Sequence, residues 1–160
     1  MGIEVRTATI EDCPEILEQL LMMHREVPFG AINEAKLRKH ITHVIDNGIV
    51  YVSYAPKTGI VTGSCGFLWS QSLYWSDDWW ATEQWVYVRE EYRGSESAVS
   101  LLKSIRDLAN GLCIPVQFGV NSPYDKDLKN KLFRRYADIE LGSTFIVNPK
   151  EDKNESMRRQ

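Results

Sequence analysis

The opening stretch Ile3-Glu4-Val5-Arg6-Thr7-Ala8 alternates apolar and polar positions, the period of a half-covered strand, and predicts a first strand over 3–8. Thr9 and Asp12 then bracket a helix start, where first-turn carboxylates face the positive end of the helix dipole and Pro14 comes early enough to be tolerated. Ile16, Leu17, Leu20, Leu21 and His24 recur on one side at helical spacing. Pro28 and Gly30 break that helix. A second helix is predicted over 33–46, with Leu37, Ile41, Val44 and Ile45 as its stripe and Asn47-Gly48 as its stop.

Residues 49–55 are apolar and β-branched, 56–59 read as a turn, and 60–69 as the return strand of a hairpin. Gly63 and Gly66 in that strand indicate a bulge or a close backbone neighbour. Residues 70–81, with Ser70, Ser72, Ser76, Asp77 and Asp78 among tryptophans, read as a loop, and 82–88 as the next strand. The strongest helical pattern covers 95–110, with Ala98, Leu101, Leu102, Ile105, Leu108 and Ala109 on one face and Asn110-Gly111 as its end. A short strand over 115–120, a helix over 125–136 and a hairpin of 139–141 with 144–147 follow. Residues 149–160 are charged, without apolar periodicity, and read as a flexible tail behind one domain over 1–148. Hairpins mixed with helical crossovers make the expected sheet mixed and the fold α/β or α+β.

Length and composition then narrow the function. The chain has 160 residues, 43% of them hydrophobic and 26% charged, which is the balance of a globular domain rather than a disordered or fibrous chain. No apolar run approaches the ~18 residues of a membrane span and the N-terminus lacks a signal-peptide pattern, so no membrane partner and a cytoplasmic location are expected. A net charge of −3 without a basic block argues against nucleic acid. The 3 cysteines, Cys13, Cys65 and Cys113, are widely spaced and fit neither a disulfide framework nor a zinc site. Cys65 and Cys113 lie in or near apolar strands, where a buried thiol is the expected state. His40 and His43 have a metal-compatible helical spacing, but no third ligand is placed to join them, and no metal is expected.

All 5 tryptophans lie between positions 69 and 85. Trp69 and Trp85 fall in predicted strands and are expected in the core. Trp75, Trp79 and Trp80, mixed with Asp77 and Asp78, are expected to form a wall of a ligand site or a protein interface.

The segment most informative for chemistry is Val86-Tyr87-Val88-Arg89-Glu90-Glu91-Tyr92-Arg93-Gly94-Ser95-Glu96-Ser97-Ala98-Val99, a strand that turns tightly into a helix. The first amides of a helix lack intrahelical acceptors and the dipole adds positive potential, so an anion such as a pyrophosphate is the natural guest. Gly94 lets the backbone approach it, Arg93 adds charge, and Ser95 and Ser97 can donate hydroxyl hydrogen bonds. An ordinary helix capped by Ser95 is the alternative reading.

Across about residues 3–147 the sequence resembles the GNAT superfamily of acetyl-CoA-dependent N-acetyltransferases. Val5-Arg6-Thr7-Ala8-Thr9-Ile10-Glu11-Asp12 is similar to the family's first strand and helix start. The family's pyrophosphate signature is Gln or Arg, two residues, Gly, one residue, then Gly or Ala. Here Arg93 takes the first place and Ala98 the last, and Ala98-Val99-Ser100-Leu101-Leu102 matches the helix that follows. Glu96 departs from the pattern, standing where the family has its middle glycine. An Arg-Gly-Ser start without that glycine also resembles, more loosely, GNAT-type proteins of tailed bacteriophages.

The resemblance implies a central, splayed, mixed sheet of about seven strands with about four helices. It implies acetyl-CoA as cosubstrate, its pyrophosphate on 93–98 and its pantetheine paired along the strand of Val86 and Val88. Asn121, just past the splayed partner, would reach the pantetheine arm or serve as a plain turn residue. Glu83 resembles the family's general base, with an exposed strand residue as the alternative. Phe133 stands where the family has an acid tyrosine, and Tyr136, one turn on, would replace it or act as a structural aromatic. The implied activity moves acetyl from acetyl-CoA to a primary amine of a small molecule or peptide by direct attack in a ternary complex. The acceptor site would be formed by the 25–33 segment and the tryptophan loop. A catalytically weak CoA-binding or protein-interaction module is the alternative, and a homodimer is an open possibility for assembly.

Overall fold

The computed structural model describes residues 2–27, 30–71, 77–119 and 126–138. Five strands form one sheet in chain order: β1 (Glu4–Thr7), β2 (Gly48–Tyr54), β3 (Val61–Gln71), β4 (Trp79–Val88) and β5 (Val116–Gln117). The first four are antiparallel neighbours, and β5 runs parallel to β4. The fold is therefore mixed α+β, with four helices among the described residues: α1 (Cys13–Glu26), α2 (Glu34–Asn47), α3 (Glu96–Leu112) and α4 (Lys126–Phe133). The two strands expected over 139–147, the tail and Trp75 lie outside the described residues.

The sheet has a helical layer on each face. Ile16, Leu17 and Leu20 of α1 and Ile41 and Val44 of α2 bury their stripes against Val50, Val52, Val61 and Trp85. On the other face Leu101, Leu102 and Ile105 of α3 pack on Cys65, Phe67 and Ala81, with Leu132 and Phe133 of α4 alongside. Trp85 is buried in the first cluster and Trp69 packs against the second, as their strand positions predict. Two buried polar chains tie the layers together. Trp85 Nε1 donates to Ser64 Oγ (3.1 Å), which donates to Gln19 Oε1 (2.7 Å) on α1. Ser97 Oγ of α3 donates to Thr62 Oγ1 (2.8 Å), itself 2.9 Å from Ser53 Oγ. Each buried polar atom thereby finds the partner that burial demands.

Several boundaries depart from the sequence pattern. Residues 79–81 are strand rather than loop, because Trp69↔Ala81, Ser70↔Trp80 and Gln71↔Trp79 continue the β3–β4 ladder. The ladder formed with β3 outweighs the turn-favouring Asp77 and Asp78 just before it. The third helix runs through Gly111 and ends at Cys113, whose φ of 54° puts it in the left-handed region. Cys113 is consequently exposed, not buried as expected, whereas Cys65 is buried and desolvation pushes its thiol pKa up. Gly48 follows α2 as expected but with extended backbone: a Cβ there would meet the Phe67 carbonyl oxygen at 2.0 Å, so the glycine serves strand pairing. The last helix ends at Phe133, and Tyr136 follows in tight turns.

Candidate active site

Strands β4 and β5 pair only at Ala81↔Val116 and Thr82↔Gln117, then diverge. Opposite Gly66 and Phe67 the β3–β4 register slips, Gly66 facing Trp85 and Phe67 facing Glu83, so Gln84 bulges out of the ladder. Gly66 is required at that point because a Cβ would stand 2.5 Å from the Trp85 ring. Bulge and divergence together open a notch at the C-terminal half of β4. A cavity of about 570 Å³ fills it, walled by α1, α2, β4, the start of α3 and α4.

Glu83 stands at the vertex of the notch. Its Oε2 accepts a hydrogen bond from the Gly119 N–H at 2.6 Å, which bridges the two diverging strands. Desolvation raises its carboxyl pKa from 4.5 to about 7, with the Gly119 N–H pulling weakly the other way. This places proton exchange near neutral pH, in a cleft, on a carboxylate.

At the other end Arg93 and Gly94 turn the chain into α3. Gly94 adopts φ +82°, a left-handed conformation that favours glycine, and no atom crowds the place of its missing Cβ. Ser95 caps α3, its Oγ accepting from the Ser97 N–H at 3.2 Å and lying 2.5 Å from the Tyr92 carbonyl oxygen. Glu96 is exposed in the first turn. Arg93, Gly94 and Ala98 line the cavity, as do Val86 and Val88 of β4. Ser95 and Ser97 do not: their hydroxyls are engaged with Tyr92 and Thr62. Arg93 is also engaged. Its Nε donates to the Val88 carbonyl (3.1 Å), its Nη2 to Glu26 Oε1 (2.5 Å), and its guanidinium lies 5.4 Å over the Tyr87 ring. Tyr87 donates to the same Glu26 oxygen at 2.7 Å, and burial followed by that bond raises its phenol pKa.

The geometry brings Glu83, Val86, Val88, Arg93, Gly94 and Ala98 around one cavity and leaves Tyr136 outside it, packed beneath α3 beside Phe133, which does line it. Asn121 lies outside the described residues. The 25–33 segment borders the cavity through Glu26, Val27, Ala31, Ile32 and Asn33, but Trp79 and Trp80 do not. Trp79, 53% exposed, sits at the far end of the β3–β4 hairpin, so neither it nor Trp80 forms the expected wall of the site. Trp85 takes that place.

Sequence reasoning missed Glu26, Gln84 and His40 as cavity residues. Glu26 carried a signal: a carboxylate in the last turn of a helix opposes the dipole and asks for a partner. His40 interrupts the apolar stripe of α2 between Leu37 and Val44 and rests edge-on against Trp85, ring centroids 6.4 Å apart. His43 is exposed beside Asn47. Among the described residues no three histidine, cysteine or carboxylate side chains converge as a metal site, and no helix is long and apolar enough to cross a membrane.

No family model matches the chain, and no curated protein matches its sequence. Solved structures match its fold. A predicted acetyltransferase with acetyl-CoA from Clostridium acetobutylicum superposes at TM-score 0.69 and 12% identity, over 92% of this chain and 96% of that one. The ribosomal-protein-alanine N-acetyltransferase of Brucella melitensis biovar Abortus 2308 gives 0.67 at 14%, over 93% and 100%. Glucosamine-6-phosphate N-acetyltransferase from Arabidopsis thaliana gives 0.65 at 12%, over 95% and 100%. The architecture is that of GNAT acetyltransferases. The looser likeness to bacteriophage proteins finds no support among these neighbours.

Proposed function

We propose that the protein is an acetyl-CoA-dependent N-acetyltransferase acting on a primary amine in a ternary complex, with Glu83 as the group that receives the amine's proton. One observation carries this reading: a carboxyl group with a pKa near 7 shares one cavity with the open, glycine-led start of α3. A proton acceptor works best when its pKa lies near the operating pH.

The residues present fit acetyl-CoA, which when bound supplies the activated acetyl group. The first amides of α3 and the open space at Gly94 suit a pyrophosphate. The edge of β4 at Val86 and Val88, freed by the departure of β5, offers backbone groups to the amides of an extended arm. Leu128, Leu132 and Phe133 of α4 give that arm an apolar cover. Glu83 takes a proton from the amine as the new C–N bond forms and the C–S bond breaks, and the departing thiolate is protonated in turn. Tyr136 has no part in this reading, since it stands outside the cavity.

A second reading, a CoA-binding module with little turnover, is favoured by Arg93, whose charge is already matched by Glu26, and by the carboxylate of Glu96. Thermal denaturation with CoA and acetyl-CoA tests the common premise. At 100 times its dissociation constant a ligand adds about 2.7 kcal/mol, an upward shift of several degrees. Gly94→Val should abolish that shift, because a β-branched residue resists φ +82° and crowds the phosphates. Absence of any shift in the native protein would refute both readings; a shift without acetyl transfer to any amine would select the second.

A further inference from the structure

The α1 and α2 side of the cavity is built differently from the α3 end. Leu20 and Met23 of α1, Ile32 of the connecting segment and Leu37 of α2 line it, with the Trp85 ring among them. The charged groups that border it are largely taken. Glu26 is shared between Arg93 and Tyr87, Arg93 is held by Glu26 and the Val88 carbonyl, and His24 Nε2 lies 3.1 Å from the Gly30 carbonyl oxygen. Among the described residues Lys129 of α4 also borders the cavity, from the opposite side of the sheet. A second ammonium or a phosphate on the acceptor would enter a wall whose described residues are mostly apolar and whose Glu26 and Arg93 are already paired with each other, at a steep cost.

His40 is the polar group set into this wall. Gln84 borders the same cavity, its Nε2 directed at the Thr82 and Glu83 carbonyl oxygens, 3.3 Å from each. A neutral imidazole has one donor and one acceptor nitrogen. Burial, then the neighbouring His43, lowers the imidazole pKa and keeps the ring neutral at pH 7. His43 acts on it from its own helix, and the titratable groups that share its cavity are His24 and Glu26 on α1, Glu83 and Tyr87 on β4, Arg93 and Lys129. A neutral amine has N–H groups to donate and one lone pair to spend on the acyl carbon. An acceptor nitrogen in the cavity that Glu83 also lines therefore suits it better than a second donor would.

We propose that the acceptor is a primary amine carried on a compact, uncharged apolar body, seated against the α1 and α2 wall with His40 accepting a hydrogen bond from its nitrogen. The inference rests on the acetyltransferase reading above.

The experiment compares acetyl transfer to 2-phenylethylamine and 3-methylbutylamine with transfer to spermidine, glucosamine 6-phosphate and kanamycin, at pH 7.5. It uses the native chain, His40→Ala and His40→Gln, with CoA-induced thermal shifts recorded in parallel. The apolar amines should show kcat/KM at least tenfold above the charged ones. His40→Ala should raise KM for the apolar amines about tenfold, change kcat less, and leave the CoA shift in place, while His40→Gln, which keeps an acceptor oxygen, should recover part of the loss. A preference for spermidine, the sugar phosphate or kanamycin overturns the inference while the acetyltransferase reading stands. So does an unaltered KM in His40→Ala. Failure of the apolar amines both to turn over and to add stability to the CoA complex overturns it as well. A native chain that CoA does not stabilise removes the reading beneath it.

Discussion

Replacing Glu83 with Gln isolates the cost of keeping an ionisable base in a dry notch. The native fold raises the Glu83 carboxyl pKa from 4.5 to about 7, burial being the cause. Between those pH values the folded protein retains a proton that the unfolded chain releases, so stability falls as pH rises through the window and the loss is complete above pH 7. At about 1.4 kcal/mol for each tenfold change in proton affinity, the penalty is about 2–3 kcal/mol once discounted for a side chain that is not fully enclosed. Gln is neutral at every pH and keeps an oxygen for the Gly119 N–H. The two proteins should therefore unfold alike near pH 4, with Glu83→Gln the more stable by that amount at pH 8, roughly 5–10 °C in Tm. Acetyl transfer should fall about a hundredfold or more in the same variant, and the rise of native kcat/KM through pH 7 should disappear. Urea and thermal melts at pH 4, 6 and 8 decide the matter. Parallel stability curves for the two proteins across that range would refute the desolvated carboxylate, and with it the reason for naming Glu83 the base.

Two further outcomes follow from the site's supports. Gly66→Ala would place a methyl group 2.5–2.7 Å from the Trp85 ring carbons Cη2, Cζ2 and Cζ3. That ring is locked by Ser64 and the α1–α2 core, so stability in urea should drop by about 1–3 kcal/mol with a change in the near-ultraviolet tryptophan signal; an unchanged signal would mean the ring yields freely. Glu26→Gln should release the Arg93 guanidinium for phosphate oxygens. CoA affinity should then rise several-fold at low ionic strength and become more salt-sensitive, and calorimetry showing neither would place Arg93 permanently in the service of α1.

What the sequence made legible was the part governed by periodicity. The stripes Ile16-Leu17-Leu20 and Leu37-Ile41-Val44 bury as spaced, and the hairpin of β2 and β3 forms where its turn residues put it. The Arg93-Gly94 turn also opens α3 as read, because a left-handed residue ahead of a Ser cap is a local matter. Features that depend on a partner strand were hidden. Trp79 and Trp80 look like loop residues until Gln71 and Ser70 lie opposite them, and the bulge at Gln84 exists only relative to Gly66 and Phe67. His40 and Glu26 were hidden for a similar reason: each gains its meaning from a side chain about 45 or more positions away, Trp85 and Arg93 respectively. Gly111 misled because a glycine inside a helix and one just past its end look alike in the sequence, and Cys113 took the left-handed position instead.

Because the described strands lie across the sheet in chain order, each of β2 to β5 pairs with the strand synthesised just before it. A chain emerging from the ribosome can close β2 on β1, β3 on β2 and β4 on β3 without waiting for a later segment to insert between them. Sequential pairing of this kind keeps loop-closure entropy low and leaves few unpaired edges exposed during growth. The notch is the exception, since β5 and α4 follow the other described elements and α4 supplies one of its walls. A growing chain halted after Val88 would already carry the Glu83 carboxyl on a paired strand, yet with no Gly119 N–H to meet it and no α4 beside it. The carboxyl is thus in place before the backbone partner and the apolar wall that complete its cavity, so the site is finished only after the sheet that carries it.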